Sequence, residues 1–429
     1  MTTERLLIRG GLVIDPAQDL ESVRDVLLAG GRVLAVGRNL SAHQPKARTL
    51  DARGCWVLPG LIDMHVHLRE PGGEDSEDIA SGTAAAAAGG FTTVLAMPNT
   101  KPPLDSAARL RRQLKAAAGR AAVQVLFTGC ATRDQEGEEL TDLAALAAAG
   151  IAGVSEDGRG LADAGLMRRV LELTRCLRLP FISHCEEPSL SRNGVVHEGR
   201  ASHRLRLPGQ PWAAETTMLM RDIALAELTG TPVHFAHLSC RQSVEAVRQA
   251  KLRGLPVTAE VTPHHLALCE DDIPGPDPSF KMNPPLRSRA DRAALQAGLQ
   301  DGTIDVVATD HAPHSPKKKA LGMRRAPFGV IGMETAVAVV LTHLVHRGKL
   351  TRRQLVERMS ASPARILGLR RKGSLEPGRD GDVTVVSPLE SWTVPSRFES
   401  RSRNCPFIGR KLRGRVRATV SAGRIIHAL

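Results

Sequence analysis

The chain has 429 residues, of which 42% are hydrophobic and 24% charged, with a formal net charge of +13 at pH 7. Length and composition exclude a disordered chain and a domain with one small core, leaving two or more domains or one large barrel with additions. The arginines are scattered (Arg48, Arg111, Arg168, Arg352, Arg401, Arg413) with neither aromatic interleaving nor a nucleic-acid motif, which argues against nucleic-acid binding and leaves weak anion steering as a by-product.

The N-terminus, MTTERLLIRG, mixes acid and base without an apolar core, so it does not read as a secretory signal. Residues 1–58 then alternate short apolar runs with Gly-Gly, Asp and Pro, as in "RLLIRGGLVID", "DVLLAGGRVLAVG" and "TLDARGCWVLPG", the pattern of short strands and turns. The same texture returns near the end in "GSLEPGRDGDVTVVSP" and "VRATVSAGRIIHAL". The expected organisation is a composite β domain from residues 1–58 and 369–429 around a body at 59–368.

Within the body, eight apolar runs recur: 60–67, 91–99, 123–129, 150–157, 179–186, 231–239, 255–265 and 304–314. Helix-like segments such as "EDIASGTAAAAAGG" and "SVEAVRQAKLRG" separate them, each ending near a helix-stopping glycine. The Ala84–Ala88 run reads as helix. Strand and helix alternating eight times predict an α/β fold, a (β/α)8 TIM barrel. Aromatic residues make up only 3% and tyrosine is absent, so the core rests on Ala, Val, Leu and Ile.

Most of these runs end in reactive side chains, and the C-terminal strand ends are where such barrels build their sites. Run one ends in His65 and His67, which face the same side of a strand. Run four ends in Ser155-Glu156-Asp157-Gly158, run five in His184, run six in His237 and run eight in Asp310. Any one of these is explicable as a hydrogen-bonded core histidine or a helix cap. Four histidines and two aspartates together point to metal. Imidazole with carboxylate suits Zn2+, and six ligands suit two ions about 3.5–4 Å apart that share a bridging hydroxide.

The motifs "DMHVHLREPGGED" (63–75), "GGFTTVLAMPNT" (89–100), "SHCEE" (183–187), "AEVTPHH" (259–265), "KMNPPLRS" (281–288), "ATDHAPH" (308–314) and "RAPFG" (325–329) resemble those of the amidohydrolase superfamily. Within it they resemble the longer bacterial (class I) dihydroorotase family, over nearly the whole chain. The resemblance implies reversible cyclisation of N-carbamoyl-L-aspartate to L-dihydroorotate, with loss of water, in pyrimidine biosynthesis. It implies two zinc ions per chain, His65 and His67 holding one with Asp310, His184 and His237 the other, and Asp157 bridging. The family usually has aspartate where Glu156 stands. Many relatives bridge with a carboxylated lysine, and no lysine stands at this strand end. Asp310 is then the general acid/base. His67, Arg69, Asn99, Asn283, His314 and the backbone at Phe328 and Gly329 contact substrate. Arg69 clamps its carboxylate as a bidentate fork, facing the same way as His67 if the strand geometry persists.

Two connections, 186–211 and 314–329, are long enough to be lids. His197 and His203, in the first, read as loop residues, and Lys317-Lys318-Lys319, in the second, as a solvated stretch. Seven cysteines, widely spaced and without a C-x-x-C, fit reduced thiols in a cytoplasm. No run of about 18 apolar residues is present, so no membrane span is expected. The resemblance also implies a homodimer and allows a complex with aspartate transcarbamoylase. Two alternatives stay open: a sister enzyme acting on dihydropyrimidines, hydantoins or allantoin, which needs no carboxylate clamp, and a catalytically silent partner of the transcarbamoylase, which would lose metal ligands.

Overall fold

The computed structural model describes residues 5–40 and 47–429. Residues 1–4 and 41–46, part of the expected N-terminal β stretch, lie outside the described residues. The eight apolar runs form one parallel sheet in chain order: Leu61–Val66, Phe91–Ala96, Gln124–Cys130, Gly153–Ser155, Phe181–Ser183, Val233–Phe235, Val257–Val261 and Val306–Val307. A bridge between Val66 and His311 and a hydrogen bond from His67 N–H to His311 O (2.9 Å) close the last strand onto the first. The result is a (β/α)8 barrel.

Parallel strands need cover on both faces, and Leu61–Val66 and Phe91–Ala96 are buried at every position. The cover is a ring of helices that includes Ile79–Ala88, Ala164–Leu177, Ala213–Thr229 and Arg289–Asp301. Their starts are encoded locally. Asp78 and Ser81 form a reciprocal capping box at the first, and Asp163 accepts from Leu166 N–H at the second. The alanine run lies in Ile79–Ala88. The strands are shorter than the runs suggest. His65 lies within the first strand, whereas His67, Asp157, His184, His237 and Asp310 lie just beyond the ends of theirs.

The second sheet runs 424–428, 411–421, 383–393, 56–59, 5–15, 20–29, 32–37, with 48–51 beside 5–15. It draws on both ends of the chain, and Trp56–Pro59 is where they meet. This strand is parallel to Arg5–Asp15 on one side and antiparallel to Val383–Val386 on the other. All seven cysteines are free thiols. No helix among the described residues is long and apolar enough to cross a membrane.

One residue separates the two sheets. Pro59 ends a strand of the terminal sheet, Leu61 starts the barrel, and Gly60 stands between. Its N–H donates to Asp382 O (2.9 Å). A Cβ there would lie 2.3 Å from Thr92 Oγ1 and 2.8 Å from Asp382 Cβ, closer than real Cβ contacts allow. Gly60→Ala should therefore destabilise the protein by about 1–3 kcal/mol through overpacking. Urea unfolding should show a lower midpoint with an unchanged slope.

Candidate active site and metal centre

The barrel mouth brings the expected ligands together. Asp157 lies at their centre. Its Oδ1 is 3.0 Å from His65 Nε2, 3.4 Å from His184 Nδ1 and 3.8 Å from His237 Nε2, and its Oδ2 is 3.5 Å from His67 Nε2. Asp310 Oδ1 approaches His67 Nε2 at 3.1 Å and His65 Nε2 at 3.8 Å. Burial alone would raise both carboxyls. The surrounding imidazoles instead hold Asp157 well below the ordinary carboxylate range and Asp310 down at about 2.

Outward hydrogen bonds fix three of the four imidazoles. His65 Nδ1–H donates to Glu260 Oε1 (2.7 Å), His67 Nδ1–H to Asn99 Oδ1 (2.9 Å) and His184 Nε2–H to Glu186 Oε2 (2.9 Å). Each ring then turns its other nitrogen to the centre, where it could ligate a cation once deprotonated. His184 Nδ1 and His237 Nε2 stand 2.9 Å apart there, and the fully buried His65 Nε2 has no hydrogen-bond partner. Converging imidazole nitrogens backed by two carboxylates are a group that could hold a cation. Two triads, His65–Asp157–His237 and His65–His67–Asp310, each bring ligand atoms within 4.8 Å of one another. His65 belongs to both, although the resemblance pairs it only with His67 and Asp310.

Of the outer partners, Asn99 was expected as a substrate contact, and Glu260 and Glu186 were not singled out from the sequence. Glu260, in the seventh strand, is fully buried and also faces His234 Nε2 at 3.1 Å. An acid inside the apolar run "VTAEV" was the available signal. Glu186 also accepts from Asn283 Nδ2 (2.7 Å) and Gln210 Nε2 (3.2 Å). Gln135 donates to the Asp157 carbonyl (2.6 Å). Glu156, the departure from the family pattern, turns away and accepts from Thr132 N–H, so Asp157 is the carboxylate that this strand end carries into the site.

All the expected substrate contacts, His67, Arg69, Asn99, Asn283, His314, Phe328 and Gly329, line one cavity with Asp157, His184, His237 and Asp310. Three details differ from expectation. The first strand ends at Val66 and Arg69 has φ +58°, so strand geometry does not persist to Arg69. A left-handed turn brings it to the cavity instead. Its Nε donates to Pro313 O (3.1 Å) and its Nη2 lies 3.3 Å from His314 Nε2. Second, Asn99 also donates to Asp157 Oδ2 (3.1 Å), tying His67 to Asp157 while it lines the cavity. Third, Gly329 N–H is engaged by Lys281 O (2.9 Å). His314 Nε2–H donates to Phe328 O (2.6 Å), which leaves that carbonyl one lone pair for a ligand N–H. Burial and the nearby Arg69 charge push His314 down to about 2, so it stays neutral.

The lysine run is not uniformly solvated, contrary to expectation. Lys317 is exposed, but Lys318 pairs with Asp75 (2.8 Å). Lys319 is buried, its Nζ donating to the carbonyls of Pro278 (2.9 Å), Pro327 (3.0 Å) and Lys281 (3.3 Å). Three close carbonyl acceptors compensate a buried ammonium, and they tie the 314–329 segment to the segment carrying Asn283. His197 is a buried brace whose Nδ1 accepts from Arg287 Nη1 (3.2 Å), while His203 is exposed.

Comparison with known proteins decides the kinship. The model of the Dihydro-orotase-like family matches residues 54–243. The chain is 49% identical over 423 residues to a dihydroorotase of Pelotomaculum thermopropionicum, covering 98% of each. It is 49% identical over 425 residues, again covering 98% of each, to one of Anaeromyxobacter dehalogenans. The chain belongs to the dihydroorotase family. Among solved structures, the dihydropyrimidinase of Brevibacillus agri matches with a TM-score of 0.86 at 25% identity, over 98% of this chain and 94% of that one. The L-hydantoinase of Arthrobacter aurescens matches in fold with a TM-score of 0.89 at 24% identity, over 100% and 98%.

Glu260 has no apparent role except to hold His65, His234 and the His237 backbone, whose N–H it accepts at 3.3 Å. Glu260→Gln should weaken metal affinity about 10–100-fold while the fold persists. Chelator competition on the metal-loaded protein measures this.

Proposed function

We propose that the chain is a dihydroorotase, a cyclic amide hydrolase that interconverts L-dihydroorotate and N-carbamoyl-L-aspartate. Arg69 carries the choice among cyclic amides. Burial lowers its pKa to about 10, and no carboxylate lies within ion-pairing distance of it among the described residues. Glu70 is taken by Arg120, and the Glu74 oxygens by Gly72 N–H. A half-buried guanidinium that feels Asp310 and Asp157 only at a distance lacks a direct ion pair, and the carboxylate of dihydroorotate supplies one in a way that dihydrouracil or hydantoin cannot.

His65, His67, Asp157, His184, His237 and Asp310 would hold two divalent ions, zinc by ligand type. When bound, these ions supply Lewis acidity and lower the pKa of the attacking water. The protein's residues do the rest. Arg69 binds the ring carboxylate, assisted by Asn283 and His314, and the Phe328 carbonyl accepts a ring N–H. Asp310 takes one proton of the water as its oxygen bonds to the ring carbonyl carbon, then gives it to the ring nitrogen as that C–N bond breaks, and the water's second proton leaves to solvent as the new carboxyl group ionises. The products are a carboxylate and a terminal ureido group. Ring closure is the reverse, with loss of water. We place the enzyme in the cytoplasm as a homodimer, with aspartate transcarbamoylase a candidate partner to be sought by co-purification.

Purified, zinc-loaded protein should open dihydroorotate in strong preference to dihydrouracil, hydantoin and allantoin, with about two metals per chain. Preference for a ring without a carboxylate would move it to a sister activity. Metal without turnover of any ring would favour a silent partner. Arg69→Ala should keep both metals and lose about 2–5 kcal/mol in kcat/KM for dihydroorotate, the cost of removing one partner of a desolvated charge pair. Metal content falling with activity would refute the clamp.

A further inference from the structure

The strands Val383–Thr393 and Lys411–Ser421 pair antiparallel, yet residues 394–410 join them. Hairpin loops usually have 2–5 residues, and connections beyond roughly 12–15 are commonly functional. This one leaves the terminal sheet and runs along the barrel mouth. Ser400 Oγ and Arg401 N–H both donate to the buried Glu77. Arg401 also pairs with Asp78 (2.5 Å) and donates to Glu74 O (2.9 Å), and Ser402 Oγ donates to Ser76 O (2.7 Å). The segment is thus fastened to the loop that follows Arg69.

Asn404 lies at its inner end, 3% exposed. Its Nδ2 donates to Ala312 O (3.0 Å) and Gly329 O (2.9 Å), and its Oδ1 accepts from His314 N–H (3.2 Å). Both amide N–H groups and the oxygen are therefore used. The Asn404 carbonyl accepts from Ile331 N–H (3.0 Å). One side chain thus links the backbone after the eighth strand to the turn that carries Phe328 and Gly329. The turn leaves little slack. Gly329 has φ +131°, and a Cβ there would lie 2.6 Å from Ala312 Cβ.

We propose that Asn404 is a positioning residue for substrate recognition. It sets the spacing between His314 and the Phe328 carbonyl, the two groups that meet the ring edge, and leaves the metal ligands alone. The C-terminal β portion of the chain thereby shapes the specificity wall. This rests on the cavity rim being the ring-binding surface, as the proposed function holds.

Steady-state kinetics on the metal-loaded enzyme test it. Asn404→Ala should raise KM for dihydroorotate about tenfold or more while kcat changes less than about threefold and metal content is unchanged. Asn404→Asp, which keeps the oxygen facing His314 N–H and loses both donors, should show the same split, and it covers the case in which Asn404→Ala does not fold. Ser402→Ala loosens the same segment without touching the rim and should leave KM near wild type. An equal KM rise in Ser402→Ala, or a fall in kcat at constant KM in the Asn404 variants, would overturn the proposal. If the wild type opens only an uncarboxylated ring, the dihydroorotase reading fails by itself, and the same KM split on that ring decides the role of Asn404.

Discussion

The structure depends on one buried carboxylate. Asp157 stands within 3.8 Å of an imidazole nitrogen from His65, His67, His184 and His237, which arrive from three strand ends spread around the barrel. An anion in this environment is tolerable only with compensating charge. Without a metal the protonated imidazoles provide it, with His65 raised, despite burial, well above its ordinary value and His184 up to about 10 beside the carboxylates; a bound cation would provide it with the imidazoles neutral. This demand also explains the outer ring of Glu260, Glu186 and Asn99, which fixes the tautomers that make the inner nitrogens of the neutral rings donors of electron pairs.

The same demand accounts for backbone geometry at the strand ends. His237 has φ +31° and Asp310 φ +46°, a left-handed conformation that costs non-glycine residues of order 1–3 kcal/mol each. Ladder bonding has stopped by these positions, so the chain can turn each side chain inward. Barrel closure between Val66 and His311 then brings the first and last of these ends together, placing Asp310 beside His67.

Much of this was legible in the sequence because strand periodicity and barrel topology are local rules applied repeatedly. His65 and His67 share a face, and polar residues closing apolar runs mark the mouth. The eight strands and the ligand cluster follow from that. Arg69 reached the cavity by a turn rather than by continued strand, since Val66 is the last strand residue. Glu260 acts on His65, far away in the chain, and no local pattern announces that pairing; Glu186 stands two residues from His184, yet its bond to Asn283 is equally long-range. Lys319 reads as one of three equivalent lysines. Only tertiary packing separates it, by surrounding its ammonium with three carbonyl oxygens. Asn404 carries no periodic or charge signal at all.

The strand Trp56–Pro59 has consequences for synthesis as well as for the finished fold. Its neighbour on one side, Arg5–Asp15, precedes it, but its other neighbour begins at Val383. While the ribosome makes the entire barrel, this strand offers the nascent chain an unpaired edge, the feature most prone to recruiting other strands. Products that stop short of Val383 never cover it. Chains lacking Val383 onward are thus left with an adhesive edge that the full sheet buries.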